Sequence, residues 1–174
     1  MKHLLAICIS VALLSVSIMG CSEKKVEEQV SSDAFITIQG PDLIKPDGSK
    51  LFIMGTNLGN WLNPEGYMFK FNKANSGRFI NEMFCQLVGP DFTAEFWKAF
   101  KDNYVTREDI RFIKSTGANT IRLPFHYKLF TDEDYMGLTA NQDGFARVDS
   151  LVNWCRESDL YLILDMHDAP GGQT

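Results

Sequence analysis

The most informative pattern of hydrophobic and polar positions lies in Tyr161–Thr174, which reads YLILDMHDAPGGQT. An apolar run turns polar within two residues and then breaks at Pro and Gly, which is typical of a buried parallel strand that opens into a functional loop. Strand alternation puts Ile163, Asp165 and His167 on one side. The opposite side is apolar and is expected to pack under helices; it consists of Leu162, Leu164 and Met166.

Two earlier stretches also change from apolar to polar at a predicted strand end. Lys50–Met54 runs into Gly55–Trp61, and Ala118–Pro124 alternates so that Thr120 and Arg122 share one side. Shorter elements precede them: a strand at Phe35–Ile38 and a hairpin turn at Pro46–Ser49 that joins Leu43–Lys45 to Lys50–Met54.

Helical spacing of apolar residues alternates with these strands. The predicted helices cover Gly77–Val88, Asp91–Tyr104, a segment from the capping box at Thr106–Asp109 to Gly117, and Phe145–Ser158. The loops after strands are long and those after helices are short, which indicates parallel strands with the site at one end.

This order predicts an α/β fold, either a doubly wound open sheet or a (β/α)8 TIM barrel. Polar inward residues beside apolar outward ones favour the barrel. A complete barrel needs about 250 residues, so we expect an incomplete one, the N-terminal part with about three strand–helix units. Such a part has an unpaired strand edge and should not fold stably alone.

The first residues are not expected to belong to the fold. Residues 1–20 combine a basic start, an apolar run and small residues, which is typical of a signal peptide, and Gly20-Cys21 resembles a lipoprotein signal in which Cys21 is lipidated. The alternative is a plain secretory signal. Residues 21–33 then form a polar tether, and 34–174 the barrel domain. We expect a secreted bacterial lipoprotein at the outer membrane, cell surface or periplasm, held by its lipid anchor.

Charge and cysteine content narrow the function classes. A net charge of −5 gives no electrostatic case for nucleic acid. Cys85 and Cys155 could pair in an oxidising compartment, although two separate buried thiols is the simpler interpretation. The sequence has no metal-ligand spacing, no phosphate loop and no nucleophile elbow, so no metal or cofactor is predicted.

Arg122 and His167 are the strongest candidates for catalytic support, because they occupy inward positions on consecutive strands. A guanidinium in a barrel mouth needs an anionic partner, and beside a catalytic carboxylate it would hold that group's pKa down and keep it ionised. The alternatives are a structural salt bridge for Arg122 and a structural role for His167.

Loop residues after the strands are candidates for substrate binding. Trp61 and Tyr127 offer rings that can stack on sugars, and Glu65 can bind hydroxyl groups. Loop packing and an ordinary surface carboxylate are the simpler alternatives. Asp165 is expected to be an inward, structural hydrogen-bond acceptor, and His126 receives no assigned role.

Three segments together resemble glycoside hydrolase family five, the family of cellulases and related β-glucanases. They are GTNLGNW at 55–61, IRLPFHY at 121–127 and LDMHDAPGGQ at 164–173, in the order and spacing of that family's first three strands. The resemblance covers nearly all of Phe35–Thr174 and is closest to the branch that contains fungal exo-β-1,3-glucanases.

The resemblance implies a (β/α)8 barrel that hydrolyses O-glycosidic bonds with retention. It implies that Arg122 contacts the nucleophile, that His167 lines the subsite at the cleaved bond and that Glu65, four residues after Trp61, binds a terminal glucose. The acid/base and nucleophile glutamates are implied after the fourth and seventh strands, which this chain lacks, so the chain alone is expected to be inactive. Asp168 departs from the small residue usual at its position, which leaves the exact substrate open.

We therefore expect the N-terminal part of a glycosidase of polysaccharide catabolism that acts on β-glucan, either cellulose-like or β-1,3-linked. A mannanase or another β-glycanase of the same family stays open, as do endo and exo action. The competing classes are a non-catalytic glycan-binding lipoprotein and a small, complete α/β interaction domain.

Overall fold

The structure is a computed structural model that describes residues 35–137 and 143–171. The predicted signal peptide, Cys21 and the whole predicted tether at 21–33 lie outside these ranges, as do residues 34, 138–142 and 172–174. In the described ranges, no helix combines the length and apolar character needed to cross a bilayer. The chain divides into two compact units, Met1–Lys50 and Leu51–Thr174, and each is described by itself.

The described part of the first unit is a short antiparallel hairpin. β1 (Thr37–Gln39) pairs with β2 (Asp42–Ile44), with Ile38 opposite Leu43. Gly40 adopts a positive φ of 60° in the connection, a conformation that glycine reaches without steric cost.

This hairpin differs from the predicted one. The predicted partner of Leu43–Lys45 was the stretch Lys50–Met54, but β2 pairs with β1, and among residues 35–50 only an isolated bridge joins Ile44 to Lys50. The predicted turn between them does form, since the Ser49 carbonyl accepts a hydrogen bond from the Lys45 N–H at 2.8 Å. The predicted turn is therefore confirmed with a single antiparallel bridge between its arms, and the pairing of β1 with β2 is the feature that the sequence pattern did not predict.

The second unit is organised around a parallel sheet with the strand order β3-β4-β5. β3 is Gly55–Asn57, β4 is Thr120–His126 and β5 is Tyr161–Asp168. Arg122 lies opposite Asn57 on one side and Ile163 on the other. Because the strands are parallel, their carboxyl ends meet at one edge of the sheet, where open α/β sheets and barrels bind their ligands.

Four α-helices form close to their predicted bounds. They are α1 (Gly77–Val88), α2 (Pro90–Asn103), α3 (Arg107–Ser115) and α4 (Asp143–Glu157), and a 3₁₀ helix covers Tyr127–Phe130. Their ends are marked by local chemistry that sequence can show. The predicted capping box is present, because Thr106 and Asp109 each accept a hydrogen bond from the other's backbone N–H.

The core lies between the sheet and the helices. Ile121 and Leu123 are fully buried, as the alternation along β4 predicts, and they share the core with Ile110 of α3 and Leu151 of α4. Leu162 of β5 packs against the same core.

The outer end of β5 does not follow the prediction. Leu164 and Met166 are 51% and 52% exposed, whereas the alternation pattern predicts that they pack under helices. The physical reason is that none of the four described helices extends over this end of the strand. Among residues 143–171, the apolar side of β5 is therefore packed at Leu162 and exposed from Leu164 onward.

An aromatic cluster fixes the long loop between β3 and α1. Phe69 stacks on Phe71 with a centroid distance of 5.4 Å and meets Trp97 of α2 edge-on at 6.5 Å. Such pairs add to the free energy of apolar burial. The loop that carries Glu65 is thus held against α2.

Candidate active site

Arg122, Asp165 and His167 form a compact polar cluster on neighbouring strands. The Arg122 Nη2 donates a short hydrogen bond to the Asp165 Oδ2 and lies 3.1 Å from the His167 Nδ1. That Nδ1 is 3.0 Å from the same Asp165 oxygen. The side chains of Arg122 and Asp165 are 35% and 29% exposed, so the ion pair faces the carboxyl end of the sheet without being sealed from it.

Only one of the two contacts to the His167 Nδ1 can be a hydrogen bond, because a ring nitrogen either donates or accepts. The guanidinium only donates and the carboxylate only accepts. We assign the Nδ1 proton to a hydrogen bond with the Asp165 carboxylate, because that carboxylate can only accept and its Oδ2 is the nearer of the two partners, at 3.0 Å against 3.1 Å for the Arg122 Nη2. The Nε2 of a neutral His167 is then an acceptor. Asp165 thereby fixes both the orientation and the tautomer of the histidine.

These contacts match the sequence-based roles in part. Asp165 is an inward acceptor, as predicted, and its ion pair with Arg122 is the structural salt bridge that stood as the alternative for that arginine. A second guanidinium nitrogen of Arg122, Nη1, lies 3.4 Å from the Asn57 Oδ1 at the end of β3. Sequence reasoning missed Asn57, although its place at a strand end is the signal that marked Arg122.

A cavity of about 820 Å³ lies beside this cluster. Its wall includes Glu65, Tyr127 and Asp168, but Arg122 and His167 do not line it. Its size is within the range usual for small-molecule sites. The structure therefore brings two of the predicted substrate-binding residues to one cavity and places the two predicted supporting residues in a separate cluster.

Trp61 occupies a different environment from the other candidates. It is 1% exposed, and its indole N–H donates to the Lys101 carbonyl oxygen at 2.8 Å. A ring without an accessible face cannot stack on a sugar, so this position supports loop packing, the alternative for this residue. Asn60 next to it accepts from the Glu65 N–H at 3.0 Å, which connects the buried end of the loop to the cavity.

His126 also lines the cavity, and sequence reasoning gave it no role. Its ring stacks between Tyr135, at a centroid distance of 4.1 Å, and Tyr127, at 5.0 Å. Burial lowers the pKa of His126, although the charge of Asp168 opposes that shift. Burial raises the pKa of Tyr135, because it disfavours the charged phenolate just as it disfavours the charged imidazole of His126. The Tyr135 hydroxyl donates a hydrogen bond to the Asn63 Oδ1 at 3.3 Å.

The described residues contain no group of three or more His, Cys, Asp or Glu side chains with the geometry to hold a metal ion. Both cysteines of the described ranges are free thiols: Cys85 on α1 lines the cavity and Cys155 on α4 is buried.

Comparison with known proteins places this geometry in a family. The family model described as Cellulase (glycosyl hydrolase family 5) matches residues 81–173. The chain is 31% identical over 141 residues to a beta-xylosidase of Phanerodontia chrysosporium, with 81% of this chain and 29% of that protein covered. It is 29% identical over 134 residues to a glucan 1,3-beta-glucosidase of Kluyveromyces lactis, with 70% and 30% covered. The chain thus spans less than a third of the length of either relative.

A solved structure is also similar to this chain in its fold. The crystal structure of rutinosidase from Aspergillus niger superposes with a TM-score of 0.52 at 24% identity, over 68% of this chain and 33% of that one. The family folds as a (β/α)8 barrel, and the parallel strands and helices described above are consistent with part of one. The match of the family model over more than half of the residues, together with these relatives, shows that the chain belongs to glycosyl hydrolase family 5.

Proposed function

We propose that this chain is the N-terminal part of a retaining glycoside hydrolase that acts on β-linked glucan. The observation that carries the proposal is the cluster that Arg122 of β4 forms with Asp165 and His167 of β5, in a chain of this family. One of the two reported relatives is named a glucan glucosidase, which supports a glucan, and the other is named a xylosidase.

The cluster suits a supporting role in glycoside cleavage. Retention needs a nucleophilic carboxylate and an acid/base carboxylate about 5–5.5 Å apart. We assign neither role to a residue of this chain, because the resemblance implies that both carboxylates follow later strands than the three of the described parallel sheet. Arg122 would instead supply positive charge beside the nucleophile, which favours its ionised form.

Substrate would enter through the cavity beside the cluster. Glu65 and Tyr127 line it, one offering carboxylate oxygens for hydroxyl groups and the other an aromatic face with a phenol. Trp61 supports the same loop from the core and is not proposed as a sugar contact. Endo or exo action and the linkage depend on the rest of the cleft.

The test uses the natural-length protein on a panel of β-1,3-glucan, β-1,6-glucan, a soluble cellulose derivative and xylo-oligosaccharides. We expect release of reducing sugar from at least one glucan, and nuclear magnetic resonance of the first product should show the β-anomer. Arg122→Ala should lower kcat/KM by about 10- to 100-fold, the effect of losing one charge-assisted hydrogen bond. Arg111→Ala, on the exposed face of α3, is the matched control and should keep full activity.

Three outcomes would count against the proposal. Binding of glucans without hydrolysis would favour the non-catalytic glycan-binding protein. Release of the α-anomer would exclude retention, and hydrolysis of xylan alone would replace the glucan by another β-glycan.

A further inference from the structure

His126 and Asp168 face each other on neighbouring strands at the mouth of the cavity. The register between β4 and β5 runs from Phe125 opposite Met166 to His126 opposite Asp168, so one residue of β5 is skipped. Such an irregularity turns side chains away from the regular alternation, and it is common beside active sites. Here it leaves His167 with the Arg122 cluster and places Asp168 with His126 on the cavity wall.

The imidazole of His126 is held in one orientation and one tautomer. Its ring lies between Tyr127 and Tyr135, at interplanar angles of 23° and 25°. Its Nδ1 accepts a hydrogen bond from the Lys128 backbone N–H at 3.2 Å. In the neutral ring the proton is therefore on Nε2, and burial favours that neutral form by lowering the His126 pKa. The Nε2–H has no hydrogen-bond acceptor among the described residues.

Two carboxylates that line the cavity are available to bind a ligand, whereas the cationic side chains of the same wall already form ion pairs with other residues. The side chains of Glu65 and Asp168 make no hydrogen bond or ion pair with residues 35–137 or 143–171. By contrast, Lys128 pairs with Glu133 at 2.8 Å. Arg78 pairs with Glu82 at 3.1 Å.

The remaining acids of the wall set the charge of the expected ligand. Asp91 and Asp134 also line the cavity, so its unpaired charge is negative. A phosphate or carboxylate ligand would be repelled, since like charges at close range are unfavourable in a partly desolvated site. A neutral polyol fits, because hydroxyl groups donate to carboxylates and accept from an imidazole N–H.

From this geometry we propose that His126 and Asp168 form a sugar-binding pair that holds two neighbouring hydroxyl groups of one glycosyl unit. The His126 Nε2–H donates to one hydroxyl oxygen, and the Asp168 carboxylate accepts from the next hydroxyl. This proposal rests on the proposed function, because it assigns a contact for the same glycan. The pair would select glycosyl units whose two neighbouring hydroxyl groups reach both side chains.

The experiment measures sugar affinity by calorimetry or nuclear magnetic resonance titration of the natural-length protein, independently of turnover. The probes are β-linked glucotrioses of each linkage and their monodeoxy analogues. Asp168→Asn removes the charge and one acceptor. His126→Asn keeps an acceptor for the Lys128 N–H but lacks the Nε2 donor, whereas His126→Gln keeps a donor near the Nε2 position. Asp149→Asn, an exposed acid on α4, is the control for loss of one negative charge.

We expect His126→Asn and Asp168→Asn each to raise Kd about tenfold, the effect of one lost hydrogen bond. His126→Gln should raise Kd less, and Asp149→Asn should leave Kd unchanged. A deoxy sugar that weakens binding to the wild type should weaken binding to the matching variant no further, because both changes remove the same contact. Melting temperatures identify a variant that has merely unfolded.

The failure of this proposal can be told from the failure of the proposed function. If the wild type hydrolyses or binds a glucan and both variants bind it equally well, the pair is overturned and the function stands. The direct contact is also overturned if the variants lose affinity for the intact glucotriose but each deoxy analogue weakens binding to the variants by the same factor as to the wild type. The substitution and the missing hydroxyl would then act independently. If the wild type neither binds nor hydrolyses any glycan of the panel, both proposals fall.

Discussion

The ion pairs around Lys101 show how one residue can determine the stability of a helix contact. The Lys101 side chain is 4% exposed and lies 2.7 Å from Asp143 of α4. Asp143 also accepts from the Arg147 Nε at 3.0 Å, and Arg147 reaches Asp102 of α2 at 2.7 Å. A buried charge is tolerated only with a partner, so Lys101 depends on Asp143, whereas Arg147 has Asp102 as a second carboxylate partner.

We expect Asp143→Ala to lower the free energy of unfolding by about 3–5 kcal/mol, because it leaves the buried Lys101 without its carboxylate. Lys101→Met should cost clearly less, since Asp143 then keeps Arg147 as its partner. The exposed Asp149→Ala is the control, expected within about 0.5 kcal/mol of wild type.

Urea denaturation of the natural-length protein measures the three variants of this series. Equal losses for Asp143→Ala and Lys101→Met would show that the network acts as isolated pairs and contradict the ranking.

At the scale of elements, the loop from β3 to α1 depends on a close backbone approach. A Cβ added to Gly66 would lie 1.8 Å from the Ala74 carbonyl oxygen, and the Gly66 N–H bonds the Asn75 carbonyl oxygen at 3.3 Å. An isolated bridge between Glu65 and Ser76 closes the same loop. The loop's conformation therefore determines where Glu65 enters the cavity.

We expect Gly66→Ala to displace this loop and weaken glycan binding by at least tenfold, because backbone atoms cannot move aside as a side chain can. Gly59→Ala is the matched control: its added Cβ would meet only the end of the Met68 side chain, with the methyl carbon at 2.8 Å and the sulfur at 3.2 Å, and that flexible end can rotate away. Affinity is measured by titration and loop position by crystallography. Normal affinity of Gly66→Ala would show that Glu65 does not need the observed loop.

How far sequence predicts these elements depends on whether the information is local. The Thr106 and Asp109 capping box and the four helices are set by residues within a few positions of each other, and they were predicted. The hairpin partner of β2 and the burial of Trp61 depend on packing between distant segments, and the pattern gave no signal for them. The pairing of His126 with Asp168 was invisible because it requires a skipped residue in the register.

At the scale of the whole molecule, the sheet has an open side. Within residues 143–171, Leu164 and Met166 of β5 are more than half exposed, and in the described sheet the strand pairs with β4 alone. An unpaired apolar edge is a site for association with other chains or with further strands. The same apolar face of β5 is therefore packed against the core at Leu162 and exposed at Leu164 and Met166.

We expect the isolated segment 34–174 to unfold over a broad temperature range, to bind a hydrophobic dye and to hydrolyse no glucan. The natural-length protein should bind less dye per mole and unfold more sharply, because further strands would cover β5. Calorimetry and dye fluorescence of the two proteins make the comparison. A sharp transition together with turnover by the isolated segment would contradict this expectation.

The two free thiols of the described residues, Cys85 and Cys155, allow opening of the fold to be measured by chemical labelling. Cys85 faces the cavity, so a thiol reagent can reach it in the native state, whereas Cys155 is 2% exposed and reacts only after α4 separates from the core. Burial raises the Cys155 pKa to about 11, which favours the neutral thiol in the fold; this stability is present below pH 9 and is lost as the pH rises toward 11. The labelling rate of Cys155, divided by that of a free thiol, therefore reports the fraction of molecules open at any moment, and this fraction should rise on the alkaline side.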